Sequence, residues 1–172
     1  RRGKAITLSD LIEEVGRDAA RFFFNLRAAD THLDFDLDLA VEKSSENPVF
    51  YVQYAHARIC SILNQVVQEG VKVPAIDSIN LTLLKENAEI DLMRKLAELP
   101  EEVTRAAVTI EPTRVTTYVL EVAALFHVFY NTCRVMVEDE SLMMARIALI
   151  EATRIVIANV LRLLSISAPE RM

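Results

Sequence analysis

The sequence predicts an all-α protein, a helical bundle preceded by a short connecting segment. Only three of its 172 residues are glycine, whereas 52% are hydrophobic, and such a composition is typical of long helices. The hydrophobic residues fall on single arcs when the main segments are drawn with the helical period of about 100° per residue. Helix caps and proline or glycine stops separate these segments from one another.

Charge and cysteine content limit the classes of function. A formal net charge of −6 argues against binding nucleic acid by general attraction to phosphates, although a specific site is compatible with it. Cys60 and Cys133 lie in apolar helical patterns without a Cys-x-x-Cys pair, which indicates buried thiols of a reducing compartment. Charged residues interrupt the longest apolar runs, so no membrane span is predicted. We therefore expect a cytoplasmic protein, and a monomer.

Two short helices are predicted near the start. Thr7 and Asp10 have the spacing of a capping motif, and Gly16 is placed to end the first helix. The second helix, over residues 18–27, has Asp18 in its first turn, and Arg21 is spaced to pair with that carboxylate.

The next segment, residues 32–39, alternates apolar and polar side chains, HLDFDLDL. Strict alternation predicts a short extended piece. Its three aspartates resemble part of a calcium loop, but that loop needs a glycine and a final acid where this chain has Leu39 and Ser45. No metal site is therefore predicted.

The helix predicted over residues 47–70 organises the chain. Asn47 is a good N-cap, Pro48 suits the first helical position, and Gly70 is placed to end the helix. One arc is aliphatic and is predicted to face the core, through Val49, Val52, Ile59, Leu63, Val66 and Val67. The opposite arc carries Tyr54, Arg58, Ser61 and Gln65.

Tyr54 and Arg58 lie one helical turn apart on that polar arc. An exposed tyrosine beside an arginine is typical of surfaces that bind an unstacked base and its phosphate. The alternative is a surface tyrosine covered by the aliphatic stem of an arginine.

Four more helices are predicted after Gly70, over residues 80–99, 100–111, 113–137 and 141–164, the last with Ser141 as its cap. The helix over 113–137 is apolar around most of its circumference. Its polar strip, bordered by Tyr130, contains Thr116, His127, Asn131 and Arg134. This strip either meets a partner or forms a buried hydrogen-bonded network.

No pattern of a complete active site is present. The sequence contains no P-loop, no paired-cysteine metal site and no recognisable nucleophile with its base, so no catalytic residue is predicted. His56 falls on the aliphatic side of its helix, where we expect a packed and hydrogen-bonded core histidine.

Several segments resemble a known family. Residues 16–22, GRDAARF, resemble the G-x-D-A-x-R-[FY] segment that follows the KMSKS loop of class I aminoacyl-tRNA synthetases. Three segments resemble the arginyl-tRNA synthetases in particular, namely NPVFYVQYAHAR at 47–58, the LFH to YN segment at 125–131, and APERM at 168–172. The resemblance covers essentially the whole chain.

The resemblance implies a carboxy-terminal part of such an enzyme. Residues 1–4 resemble the tail of the KMSKS-like loop, so residues 1–44 are expected to be a connecting segment and residues 45–172 the all-helical DALR anticodon-binding domain. The implied partners are an arginine-accepting tRNA and an upstream catalytic domain of the same chain. That domain would ligate arginine to the tRNA using ATP with Mg²⁺, and no cofactor or metal is expected in the residues present here.

The resemblance also implies which residues receive the anticodon. Tyr54, Arg58, Tyr130 and Met172 match the family's pocket for anticodon bases, and Arg171 offers a phosphate contact beside it. Asn131 and Arg134 of the polar strip are further candidates for tRNA contacts. Met172 is therefore expected close to both tyrosines.

Two alternatives stay open at this point. The chain could be the anticodon domain of another class I synthetase, such as the methionyl or cysteinyl enzyme. It could also be a helical protein-interaction bundle without RNA binding, whose polar strips are internal networks.

Overall fold

The structure, a computed structural model, describes residues 7–172, and within them it contains helices and no strand. The α-helices of this part of the chain are α1 (Leu8–Val15), α2 (Arg17–Asn25), α3 (Leu37–Val41), α4 (Pro48–Gln68), α5 (Asn87–Ala97), α6 (Leu99–Thr109), α7 (Pro112–Thr132) and α8 (Glu140–Leu163). Two short 3₁₀ turns, Ile76–Ser78 and Leu81–Leu83, lie between α4 and α5. The predicted all-α class is confirmed.

Helices α4, α7 and α8 form the centre of the bundle and pack against one another. Helices α5 and α6 cover α7, and α2 packs on both α4 and α7. The aliphatic arc of α4 supplies Val49, Val52, Ile59 and Val66 to the core, as predicted. Val67 is the exception, with 72% of its surface exposed.

Helix α2 lies before residue 45 and yet packs on α4 and α7. The boundary between residues 44 and 45, which divides the predicted connecting segment from the predicted domain, therefore stays a prediction. Residues 1–4, which resemble the tail of the KMSKS-like loop, lie outside the described residues.

The predicted signals at the helix ends are largely confirmed. Thr7 and Asp10 form a capping box on α1, and Gly16 follows that helix with φ +82°, in the region that favours glycine. The Asn47 side chain accepts hydrogen bonds from the backbone N–H groups of Val49 and Phe50 at the start of α4. Its amide nitrogen donates to two carbonyls after α3 and so joins the two helices.

The alternating segment 32–39 is a correction to the sequence analysis. It is irregular up to Asp36, whose carboxylate then accepts a hydrogen bond of 3.0 Å from the Leu39 N–H and begins α3. No strand lies beside it in the described residues to complete a sheet, so alternation alone does not hold it extended. Phe35 instead packs against Phe23, with ring centroids 5.2 Å apart.

Three predicted helix boundaries in the second half are also wrong. The helix expected from residue 80 begins at Asn87, because the Asn80 side chain caps a separate 3₁₀ turn by accepting from Thr82. Helix α7 ends at Thr132 rather than at 137. Asp139, not Ser141, caps α8 by accepting from the N–H groups of Ser141 and Leu142.

A buried ion pair lies beside the turn that follows α7. Arg146 of α8 donates through Nε to the Glu89 carboxylate at 2.7 Å and through Nη1 to the Arg134 carbonyl at the same distance. The Glu89 side chain is completely buried, so both charges depend on this pairing. The pair thereby joins α5, α8 and the turn after α7.

Other predictions concern burial. Cys60 and Cys133 are buried free thiols, as expected. His56 is 2% exposed, and its Nδ1 lies 2.9 Å from the Pro169 carbonyl, which confirms a packed and hydrogen-bonded histidine. None of the helices in residues 7–172 is both long and apolar enough to cross a membrane.

The burial of α4 predicts the effect of truncating its core side chains. Ile59→Ala removes part of a fully buried side chain and should lower the free energy of unfolding by about 2–5 kcal/mol through lost burial and a cavity. Val67→Ala on the exposed side of the same helix should change it by about 0.5 kcal/mol or less. Urea unfolding followed by circular dichroism measures both, and equal losses would contradict the arrangement of α4.

Candidate nucleic-acid interface

The polar arcs of α4 and α7 and the segment after α8 surround a cavity of about 490 Å³. Its lining residues come from sequence-distant parts of the chain and are Tyr54, Ala57, Arg58, Ser61, Ile62, Gln65, Tyr130, Arg171 and Met172. The described lining contains two arginines and no acidic side chain. A chain with net charge −6 therefore presents a locally positive and partly aromatic cavity.

Arg58 is held in a fixed orientation at the centre of this cavity. Its Nη1 donates a hydrogen bond of 2.6 Å to the Tyr54 hydroxyl. Its guanidinium carbon lies 4.0 Å from the centroid of the Tyr130 ring, which is cation–π geometry. Tyr54 lies one turn earlier on α4 and Tyr130 lies on α7, so Arg58 bridges the two helices that form the walls.

Behind Arg58, aromatic side chains form a second layer. The Tyr54 ring lies nearly parallel to that of Phe50, with 6.1 Å between centroids and 8° between planes. The imidazole of His127 on α7 lies 6.1 Å from the Tyr54 ring and 4.7 Å from the Tyr51 ring. These contacts restrict Tyr54, although 37% of its surface stays exposed. The tyrosine is therefore a supported wall of the cavity.

Burial and the neighbouring Arg58 guanidinium lower the pKa of His127 below its ordinary value of 6.5. The imidazole Nε2 is buried and has no hydrogen-bond partner in the described residues. Both observations favour the neutral form, because a second cation beside Arg58 would be repelled and poorly solvated. At this end of the cavity, the positive charge is therefore carried by Arg58 and not by His127.

The segment after α8 supplies the third wall. Pro169 is held by His56 through the 2.9 Å hydrogen bond, and the chain then passes to Arg171 and Met172 at the cavity. Met172 is 56% exposed, so its flexible thioether side chain borders the opening rather than the core.

The structure brings together four of the predicted site residues, Tyr54, Arg58, Tyr130 and Met172. The expected proximity of Met172 to both tyrosines agrees with their common cavity. Asn131 and Arg134 do not line it; both are exposed, and Arg134 lies beyond the end of α7, where the helical period no longer applies. A role in RNA binding stays a prediction for all six.

Two residues that line the cavity, Ala57 and Ile62, were not predicted from the sequence. Their spacing could have indicated them: Ala57 lies three residues after Tyr54 and Ile62 lies four residues after Arg58, and residues three or four apart share a helix face. Ser61 and Gln65 had been placed on the polar arc, but no role was predicted for them.

Comparison with known proteins identifies the family of the chain. The sequence profile of the DALR anticodon binding domain matches residues 52–172. The chain belongs to this family. The DALR profile covers α5 to α8 and nearly all of α4, and therefore every residue that lines the cavity.

Full-length relatives are similar over the whole chain. An arginine-tRNA ligase of Acetivibrio thermocellus is 63% identical over 172 residues, and one of Ruminiclostridium cellulolyticum is 60% identical. The DALR chain is covered completely in both comparisons but spans only 30% of the length of each relative. The arginyl-tRNA synthetase structure of Thermus thermophilus is 29% identical with a TM-score of 0.78, over 92% of this chain and 27% of that one.

The resemblance to arginyl-tRNA synthetases implies ATP with Mg²⁺ for the whole enzyme. The described residues of this chain do not fit such a Mg²⁺ ion. No group of three or more His, Cys, Asp or Glu side chains in residues 7–172 is arranged to hold a metal ion. The side chains that line the DALR cavity include arginines and no acidic residue, which suits an anionic ligand.

The state of His127 makes the stability of the DALR domain depend on pH. Because the folded-state pKa of His127 is below the value of 6.5 expected when unfolded, the unfolded chain binds more protons between the two values, and stability rises with pH there. His127→Phe should therefore reduce the loss of unfolding free energy between about pH 7.5 and pH 5.

Urea unfolding of both proteins across this pH range, at constant ionic strength, measures the difference. Identical pH profiles for the unaltered chain and His127→Phe would contradict a buried neutral imidazole.

Proposed function

We propose that the chain binds the anticodon loop of an arginine-accepting tRNA and that the cavity at Tyr54, Arg58 and Tyr130 receives one or more unstacked bases. The observation that carries this proposal is the position of Arg58, whose guanidinium is stacked on Tyr130 and hydrogen-bonded to Tyr54. This arrangement presents aromatic surface and a fixed positive charge in one place. Single-stranded nucleic acids are bound by this combination of stacking and charge.

The other lining groups complete the recognition chemistry. Ser61 and Gln65 offer hydrogen-bonding groups at the wall formed by α4, suited to the edge of a base. Arg171 offers a guanidinium for a phosphate, and Met172 offers an adaptable apolar contact beside it. Base identity is then selected by a few oriented contacts, because the net charge of −6 supplies little general attraction to RNA.

We further propose that the chain is the anticodon-binding part of an arginine-tRNA ligase. The names of the relatives, with identities of 60% and 63%, support this. The ligation of arginine to tRNA with ATP and Mg²⁺ is assigned to a catalytic domain elsewhere in such an enzyme. The proposal includes action in the cytoplasm, which the buried free thiols support, and a monomeric state.

Binding of a defined RNA tests the proposed function. An anticodon stem-loop of arginine tRNA should bind more tightly than the same stem with a methionine or cysteine anticodon, because specific contacts outweigh nonspecific charge. Fluorescence anisotropy with labelled stem-loops gives the dissociation constants. Equal affinity for all three loops would contradict arginine specificity, and no binding at all would favour a protein-interaction bundle.

Catalytic activity provides a separate test. Incubation of the 172-residue chain with ATP, arginine and tRNA should yield no arginyl-tRNA and no adenylate, because the proposal assigns catalysis to another domain and the chain spans only 30% of the length of its relatives. Charging above background by the pure chain would contradict the assignment of catalysis to another domain.

The cavity predicts how Tyr54 and an unrelated exposed aromatic differ. Tyr54→Ala should weaken stem-loop binding by about 1–3 kcal/mol because a base loses its aromatic contact and Arg58 its hydrogen-bond partner, while stability should change by about 1 kcal/mol. Phe24→Ala is the matched control, since Phe24 is 46% exposed on α2 and does not line the cavity. A comparable loss of affinity in both variants would contradict binding of the stem-loop at the cavity.

A further inference from the structure

The segment after α8 follows a defined path back across the bundle. Ser165 has φ +55°, in the left-handed region, and reverses the chain at the end of the helix. Ile166 then turns inward, is 5% exposed, and donates its N–H to the Leu161 carbonyl at 2.8 Å. These residues bring Ser167 to the surface of α2 and α4.

At that point the carboxylate of Asp18 on α2 binds the segment. Its Oδ2 accepts a hydrogen bond of 3.1 Å from the backbone N–H of Ser167 and another from the Ser167 hydroxyl. The same oxygen accepts from Nε2 of Gln53 on α4 at 3.1 Å, and this Nε2 also lies 2.9 Å from the Ser167 carbonyl. Asp18, Gln53 and Ser167 therefore form one anchor between α2, α4 and the segment.

Two neighbouring contacts strengthen the anchor. Arg21 donates through Nε to the Leu164 carbonyl at 2.9 Å, where α8 ends. His56 holds Pro169 two residues after Ser167. The ion pair between Asp18 and Arg21 that their spacing suggested does not form in the structure. Both side chains bind the segment instead.

We propose that Asp18 is a positioning residue for RNA recognition, acting through Gln53 and Ser167 to hold Arg171 and Met172 on the wall of the cavity. This inference rests on the proposed function of the cavity. Asp18 itself does not line the cavity. Its effect must therefore pass through the segment that it anchors.

The physical reason is the entropy of a segment without secondary structure. Residues 168–172 contain no helix, and a segment without secondary structure is usually mobile unless its backbone is held. An anchored segment has lost this freedom before the RNA arrives, so less ordering opposes binding. Without the anchor, binding has to order Arg171 and Met172 at the expense of affinity.

Asp18→Asn weakens the hydrogen bonds of the anchor without changing the packing around it, because the shape of the side chain is kept. The amide oxygen can still accept hydrogen bonds, but the side chain has lost its charge and one acceptor oxygen, which weakens the contact with Ser167. Glu13→Gln is the matched control, because Glu13 is an exposed carboxylate on the neighbouring α1. The melting temperature identifies any loss of folding.

Methyl NMR of the chain labelled at its methionines tests the positioning without RNA. The Met172 methyl signal, assigned by Met172→Leu, should move toward the position of a mobile methionine in Asp18→Asn. The signals of Met93, Met136, Met143 and Met144 should stay in place, as should all signals in Glu13→Gln. An unchanged Met172 signal in Asp18→Asn overturns the proposal.

Stem-loop titrations test the consequence for recognition. Asp18→Asn should bind the arginine anticodon stem-loop about tenfold more weakly, and deletion of Arg171 and Met172 should also weaken it. Added to the deletion, Asp18→Asn should have no further effect, because the groups it positions are gone. Full additivity, or an affinity unchanged by Asp18→Asn, overturns the proposal.

The two measurements distinguish this inference from the proposed function. If the unaltered chain binds no stem-loop, the proposed function fails, and the role of Asp18 in recognition fails with it. The methyl spectrum still decides in that case whether Asp18 anchors the segment. If the unaltered chain binds and Asp18→Asn moves the methyl signal without loss of affinity, only the inference fails.

Discussion

Burial of one arc of α4 is the constraint on which the site depends. Val52 and Ile59 are completely buried against α7 and α8, and their removal from water is the main force that fixes the rotation of α4 about its axis. That rotation leaves the arc of Tyr54 and Arg58 as the exposed side. Burial of Phe126 and Phe129 fixes α7 in the same way and places Tyr130 opposite Arg58. The cavity thus follows from the packing of hydrophobic residues that take no part in it.

The GRDAARF segment shows how one motif serves both the core and the surface. Gly16 ends α1 in a conformation with positive φ, which lets α2 begin at the next residue. Phe22 and Phe23 enter the core, and this fixes the opposite face of α2, with Asp18 and Arg21, toward the segment after α8. The motif is therefore explained by its contacts with the far end of the chain.

The sequence was most informative where local and long-range forces agree. For α4, the cap, the aliphatic arc and the terminal glycine all favour one helix, and all four residues predicted on its polar arc line the cavity. It was misleading at Arg134, because α7 already ends at Thr132 and the Arg134 carbonyl instead accepts from Arg146 of another helix, a contact that periodicity does not contain. The anchor of Ser167 by Asp18 joins residues 149 positions apart. Spacing instead suggested a pair between Asp18 and Arg21, since a helical wheel represents only neighbours within one helix.

The acidic balance of the chain explains why these positions have to be fixed. A basic protein gains affinity for RNA from many loose contacts with phosphates, but a chain of net charge −6 has to rely on a few contacts. Each of them contributes fully only if its side chain is already oriented, because ordering on binding consumes free energy. Arg58 is oriented by Tyr54 and Tyr130. Ser167 and Pro169, which precede Met172, are anchored on α2 and α4. Oriented contacts also favour selectivity, since a base of the wrong shape leaves fixed donors without partners.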